Sequence, residues 1–558
     1  MKSIIALLLL IMNYSGTIGQ ENYPKDYGQP LSGQLLISGN FCELRENHFH
    51  GGVDLRTGTN GRKIYAPTDG YVSRIKISRS GYGYAIYLTH NDGYITTYGH
   101  LQAYSKEIDT WVKNKQYEMQ EFEMDIDLDS SVFPVKKGQV IGYSGNSGYS
   151  FGPHVHYEVR NPQGEPLNPQ FFHNVKDNMP PEIKTIAIYP ASDESYVNYK
   201  NESITIPVLE SQLKNEIIVH GPIYFGVEAY DYLNDVGSRN TIYSVKLYVD
   251  DELIFFTAYD KFNYDNGRDI NSMIDYKRRK TTSMRIQRSY VAPNNELYHY
   301  QKVVNNGVYN FNDNETHLVK YVVADIKGNT RSVIFNVKST TQIKDFGIRR
   351  DSARLFKFDQ VNTFSRPGID VYCPKKTLFD NIFFEYDVFE GSKYSPMYKI
   401  HDEFVPLKDF YILSISTAGI PHELKDKAVI LRKDFENDYE CYLGQVKNDY
   451  LSVWTRDFGL YFLTIDVTPP VIKPTNISNE KNMSNASLIR LEAEDDISGI
   501  KDWAGFVNGE WVIVVYDKKD DEFYYEFDNK TKSGKNTFKL MVVDGVGNIS
   551  TYEADFYR

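Results

Sequence analysis

Apolar and polar positions alternate with a period of two along most of this chain, in short runs punctuated by glycine, asparagine and aspartate. This is the pattern of half-buried strands joined by tight turns. Tyr71–Ile77 and Tyr84–Thr89 read as strands connected through Ser80-Gly81, and Ile95–Tyr98 follows the turn at Asn91-Asp92-Gly93. Such close spacing predicts an antiparallel meander. Between Tyr104 and Val135 the pattern changes to one helix followed by an acidic loop, Glu121 to Asp129, whose charges read as a solvated face. Farther on, Asn381–Tyr386 and Phe410–Ile415 are again strand-like.

The exception to this alternation is the apolar run Ile4–Met12, preceded by Lys2 and followed by small and polar residues to Gly19. That order is the one expected of a secretory signal, and the run falls far short of the roughly 20 residues a spanning helix needs. Cleavage is expected after Gly19. No cysteine follows closely, so a lipid-anchored start is not expected, and no later segment is long and apolar enough to span a membrane.

Two parts of the chain share a series of phrases. Met179-Pro180-Pro181-Glu182-Ile183 corresponds to Thr468-Pro469-Pro470-Val471-Ile472, and Val227–Asp231 with Asp235-Val236-Gly237 corresponds to Leu491–Asp495 with Asp496–Gly499. Asp325–Asn329 corresponds to Asp544–Asn548. Four phrases in one order indicate a diverged repeat whose first copy carries a long insertion. Pro-Pro entry, alternating strands and Gly-Asn turns fit a β-sandwich, and both copies resemble immunoglobulin-like modules. The expectation is a mainly β protein: a signal over 1–19, a first domain over 20–178, a β-sandwich resembling the immunoglobulin-like type, with an insertion, over 179–339, an all-β module over 340–466, and a second such sandwich over 467–558. The acids gathered in the repeat phrases are candidates for Ca²⁺, although turn aspartates commonly hydrogen-bond their own backbone.

Composition narrows the picture. The 558 residues suit roughly three to four domains, and 45 Tyr with 31 Phe favour pleated, half-buried surfaces. A net charge of -12 disfavours a nucleic-acid or anionic-membrane surface. The three cysteines, Cys42, Cys373 and Cys441, are too few and scattered for a disulfide framework or a cysteine-built zinc site.

The chemistry is crowded into the first domain. In His50-Gly51-Gly52-Val53-Asp54 the glycines disfavour a helix, whereas an extended strand points His50 and Asp54 to one side. His154-Val155-His156 supplies a second pair on one strand face. His50, Asp54 and either His154 or His156 would provide three nitrogen and oxygen ligands, the number used by catalytic zinc sites that keep a position open. Spacing alone neither separates His154 from His156 nor excludes His48. Glu158 shares the strand parity of both histidines and is a candidate to orient one of them.

Three motifs in order, His50-x-x-x-Asp54, Tyr98-Gly99-His100-Leu101, and Gly145–Gly148 leading into Gly152-Pro153-His154-Val155-His156-Tyr157-Glu158, resemble the M23 metallopeptidases of the lysostaphin and LytM type. Ala66–Val72 and Lys137–Gly142 also fit that pattern. The resemblance covers roughly a quarter of the chain. It implies a lysostaphin-like antiparallel sheet, Zn²⁺ bound by His50, Asp54 and His156, and catalytic roles for His100 and His154. It further implies an exported endopeptidase, periplasmic or extracellular, that uses zinc-activated water on cross-links or stem peptides of bacterial peptidoglycan. Some members of the family have lost ligands and only regulate other wall enzymes. A non-hydrolytic peptidoglycan-binding role is therefore the alternative, although every motif position is filled here. The β modules are expected to space the enzyme, occlude its groove, or bind a protein or glycan partner.

Overall fold

The computed structural model describes residues 23–24, 26–208, 216–233, 237–348, 350–351 and 354–558, so the expected signal over 1–19 and Asp235-Val236 of the repeat lie outside the described residues. Strands dominate, and no described helix is long and apolar enough to cross a membrane.

The first domain runs, in chain order, through β1 (Ile37–Gly39), β2 (Val53–Arg56), β3 (Lys63–Tyr65), β4 (Gly70–Ile77), β5 (Tyr84–His90), β6 (Ile95–Tyr104), α1 (Lys106–Met119), β7 (Met124–Asp127), β8 (Pro134–Val135), β9 (Val140–Ser144), β10 (His154–Arg160) and β11 (Pro166–Leu167). Its main path is β1-β2-β10-β6-β5-β4-β7, with all neighbours antiparallel, and the expected meander is β4-β5-β6. α1 buries Ile108, Val112 and Gln116, one helical face spaced by four residues, in the core beside the sheet.

The acidic stretch after α1 is not all loop. Met124 and Ile126 alternate inward from β7, while Asp125 meets Arg74 at 2.6 Å across the pairing with β4. Cross-strand charge pairing thus lets an acidic run form an edge strand.

The two repeat copies have the same strand pairing. Each opens with a strand, Glu182–Pro190 or Val471–Pro474, antiparallel to the next long strand. Each also closes with a hairpin, Thr316–Ser339 or Lys535–Tyr557, whose last strand runs parallel to an earlier segment. In the first copy one strand, Ile217–Tyr230, serves both layers. It bends at Gly221, where φ is +73°, and its two ends join different sheets. Residues between the copies form two five-stranded antiparallel sheets over a common core.

The insertion of the first copy, residues 259–311, is a structural junction. Its Phe262, Ile270, Met273 and Leu297 share a core with Phe41, Cys42, Leu44 and Phe49 of the first domain. Phe262 lies 5.7 Å between ring centroids from both Phe41 and Phe49. On the opposite side the last module folds back: Trp503, Ile513 and Val515 pack on the first core, and Tyr117 bonds Asp528. All three cysteines are free, and Cys42 is fully buried in the junction.

Phe262→Ala should therefore destabilise the first domain although it changes another module. A loss of about 3–5 kcal/mol is expected in urea unfolding followed by a probe in the first domain; a loss below about 1 kcal/mol would contradict a shared core.

Candidate metal centre

The sheet assembles the centre from three separate chain segments. β10 lies between β2 and β6, in a register that opposes His156 to Asp54 on one side and to Gly99 on the other. His50 is not within a strand: β2 begins at Val53, after a bend at Gly52. The glycines are required by close approach, because a Cβ on Gly52 would lie 2.2 Å from the Tyr157 carbonyl oxygen. His100 sits at a bulge in β6 with φ +61° and its amide bonded to the Tyr82 carbonyl. Bulges re-aim side chains, and here the His100 ring faces His154 at 4.7 Å.

His50 Nε2, Asp54 Oδ1 and His156 Nδ1 meet at one point. The separations are 2.9 Å from His50 to Asp54, 3.0 Å from His50 to His156 and 3.1 Å from His156 to Asp54. The outer atom of each residue fixes which inner atom is available. His50 Nδ1 lies 2.8 Å from the Asn40 carbonyl, which only accepts, so Nδ1 carries the proton and Nε2 presents a lone pair. His156 Nε2 lies 2.8 Å from Glu158 Oε1, which leaves Nδ1 facing the centre. Asp54 Oδ2 is taken by Arg45 at 2.8 Å.

Three donor atoms thus converge, an arrangement that a cation stabilises, either a metal ion or the proton that the Asp54 and Glu158 carboxylates hold on His156. The spacing suits zinc: donors at about 2.0–2.2 Å from a tetrahedral ion stand roughly 3.3–3.6 Å apart, slightly wider than observed here. The histidine and carboxylate set is of the kind zinc accepts, and His50, Asp54 and His156 therefore fit the ion.

The surrounding contacts extend across the domain junction. Glu158, fully buried, accepts from Tyr82 and from Tyr264 at 2.8 Å through Oε1, and from Arg160 at 2.6 Å through Oε2. Tyr264 belongs to the insertion of the second module, and its ring also lies under the Arg160 guanidinium at 5.0 Å. A second path runs from Arg285 of the insertion to Glu43 at 2.5 Å, then through Arg45 to Asp54. Tyr264 and Arg285 carry no motif and lie more than 200 residues from His50 in sequence, so reading the sequence did not single them out. Glu158 had strand parity as its signal.

Burial holds His50 below the usual imidazole range. Burial also opposes charge on His156, but the Asp54 and Glu158 carboxylates outweigh it and push the ring up to about 8. Burial and the neighbouring His156 and His154 rings take His100 down to about 3. His100 Nδ1 donates to the Ser147 carbonyl at 2.8 Å, and His154 Nδ1 to that of Gly152 at 2.8 Å, so both Nε2 atoms remain acceptors. His154 Nε2 stands 3.6 Å from Asp54 Oδ1, beside the donor triangle. The structure separates the residues that spacing left open: His156 completes the triangle, His154 borders it, and His48 points outward toward the Glu46 carbonyl.

Residues 48–117 and 131–169 match the family model for Peptidase family M23, and residues 353–466 match that for a Zu5-like domain. The chain is 32% identical over 120 residues to the DD-carboxypeptidase/endopeptidase Mpg of Neisseria meningitidis, covering 22% of each protein. It is 31% identical over 127 residues to the peptidoglycan DD-endopeptidase ShyC of Vibrio cholerae, covering 22% of this chain and 24% of that one. The matches span about a fifth to a quarter of these relatives' length. The catalytic domain of the antimicrobial peptidase lysostaphin from Staphylococcus simulans aligns at 24% identity over 24% of this chain and 90% of that one, with a TM-score of 0.18. The first domain is of the M23 peptidase type.

Glu158→Gln keeps the shape but weakens the acceptor for His156, so zinc affinity should fall about 10–100-fold in a chelator competition, with the circular dichroism spectrum unchanged. An unaltered affinity would rule out an orienting role. Zinc uptake also displaces the proton that His156 holds below about 8, so affinity should decline as pH is lowered through that value and recover above it. Zinc titrations at a series of pH values test this; a flat profile across the same range would contradict it.

Proposed function

We propose that this protein is an exported zinc metalloendopeptidase that hydrolyses peptide cross-links or stem peptides of bacterial peptidoglycan. The observation that carries the reading is the convergence of three lone pairs from His50, Asp54 and His156 beside two further histidines whose Nε2 atoms are free to accept. A spent or purely structural site has no need of the second pair. The substrate class rests on the M23 match and on relatives named as peptidoglycan endopeptidases. Export and a periplasmic or extracellular location rest on the amino-terminal apolar run and on where such a substrate lies.

When bound by His50, Asp54 and His156, Zn²⁺ supplies Lewis acidity, which lowers the pKa of water from about 15.7 to about 7 and polarises a carbonyl. His154 is assigned as the general base: its Nδ1 is committed to Gly152, its Nε2 faces the donor triangle, and its side chain remains 17% exposed to an incoming substrate. The same nitrogen can return the proton to the leaving amine. His100 is more deeply buried and holds a proton only under acid conditions, which makes it the poorer base. It is assigned to the reacting carbonyl's side of the pocket, where its ring packs beside His154 and His156 and shapes the space open to substrate. Glu158 orients His156, and Tyr82, Tyr264 and Arg160 hold Glu158. Tyr149 and Phe151, both exposed just before His154, offer an apolar lip against which a peptide can lie.

Zinc-loaded protein should release cleaved muropeptides from purified sacculi, read by liquid chromatography and mass spectrometry, with the new termini identifying the bond. His154→Ala should lower the rate about 10²–10⁴-fold while retaining zinc and fold. Failure of the zinc-loaded wild type to cut any peptidoglycan type would sink the hydrolase reading, and full activity in the variant would sink the assignment of the base.

A further inference from the structure

Besides the histidine centre, the described residues gather ligand atoms at two places. In the first repeat copy Asp177, Asp231 and Asp325 bring one carboxylate oxygen each within 4.8 Å of the others, and Asp466, Asp495 and Asp544 do the same in the second. The members correspond one to one. Asp177 and Asp466 stand three residues before the Pro-Pro phrase, Asp231 and Asp495 two residues after Ala229 and Ala493, and Asp325 and Asp544 open the Asp-x-x-Gly-Asn turns.

Backbone amides take up the second trio apart from Asp495 Oδ1, since Asp466 accepts from Thr468 and Ser498 and Asp495 Oδ2 from Ile497 and Gly499, whereas in the first trio they reach Asp325 and one oxygen of Asp177. Asp325 accepts from the amides of Lys327 and Asn329 and from the Asn329 side chain, and Asp544 does so from Val546 and Asn548. By contrast, Asp231 Oδ1 and its counterpart Asp495 Oδ1 are both buried without a hydrogen-bond partner, as is Asp177 Oδ2. Asp231 is only 4% exposed.

An independent oxygen joins the first trio. Asn240 is fully buried, and its Oδ1 also has no partner. Its backbone exchanges both hydrogen bonds with Asp231, at 2.9 Å each, and directly opposed residues of an antiparallel pair project from the same face. The Asn240 side chain therefore projects on the same side as the Asp231 carboxylate. Exposed Lys327 is the positive neighbour of Asp177, yet burial and the carboxylates of Asp177 and Asp325 still push the Asp231 carboxyl up to about 8.

We propose that the first trio, Asp177, Asp231 and Asp325, joined by Asn240, is a Ca²⁺ site that ties the incoming linker to two strand ends of the module that follows. The donors are all oxygen, which favours a hard cation over zinc, and they come from loops able to meet the longer bonds and higher coordination of calcium. Asp177 lies where the first domain ends. The ion would thus stiffen the junction between the first domain and the module that follows it.

The test uses the full mature chain, freed of metal and then restored with one equivalent of zinc. In equilibrium dialysis against calcium chloride the wild type is expected to bind a calcium ion that Asp231→Asn loses, with zinc content and circular dichroism unchanged, whereas Asp495→Asn in the amide-bonded second trio should bind as the wild type does. Calcium should also raise the unfolding temperature of the wild type but not of Asp231→Asn. If Asp231→Asn does not fold, Asp177→Asn in the linker provides the same reading. No calcium uptake by the wild type at millimolar concentration, or an uptake unchanged by the first-trio variant, would overturn the proposal.

Discussion

The structure of the first domain turns on holding three lone pairs about 3 Å apart. Two imidazole nitrogens and a carboxylate oxygen do not adopt that arrangement unaided, since each would rather meet a proton or water. The chain prevents escape by occupying the opposite atom of every ligand: the Asn40 carbonyl holds His50, Glu158 holds His156, and Arg45 holds Asp54. Each partner is itself fixed, Glu158 most strongly, with two tyrosine hydroxyls, an imidazole and a guanidinium on its two oxygens. A buried carboxylate is tolerable there because its charge is matched and its lone pairs are used.

That support does not end at the domain boundary. The loop bearing His50 has its apolar residues in a core shared with the second module's insertion, and Tyr264 and Arg285 of that insertion reach the centre by two routes. Packing sets the position of the loop, and polar contacts set the orientation of its ligands. The insertion also meets the Zu5-like region, where Lys408 contacts buried Asp269 at 3.2 Å. The last module closes on the opposite face, where Lys519 donates to the carbonyl of Asn146, one residue before the one that fixes His100. The β modules thus brace both sides of the candidate site, and what looked like an appended spacer contributes to its geometry.

The extent to which the site was legible follows from the range of the signals. His50, Asp54, His100, His154 and His156 lie in short motifs, and strand parity made Glu158 visible beside them. Parity did not show that His50 sits outside the strand, because the close approach of Gly52 to the Tyr157 carbonyl depends on how β10 lies against the loop. Nor did it separate His156 from His154, which share a face. Register, which sets His156 opposite Asp54 and His154 opposite Arg56, and contacts at the second ring nitrogen direct one to the donor triangle and the other to its edge. The acidic run after α1 read as loop because its charges dominate the average, whereas its register with Arg74 and Lys76 made it an edge strand.

The sequence by itself determined the β architecture, the repeat and the residue types available for chemistry, since turns, alternation and motif spacing are local properties of the chain. The tertiary structure decided which donors meet, which ring nitrogen each presents, and that Tyr264 of another module holds the carboxylate behind His156. Those outcomes depend on register, burial and packing between segments hundreds of residues apart, and such contacts leave no periodic trace in either segment alone.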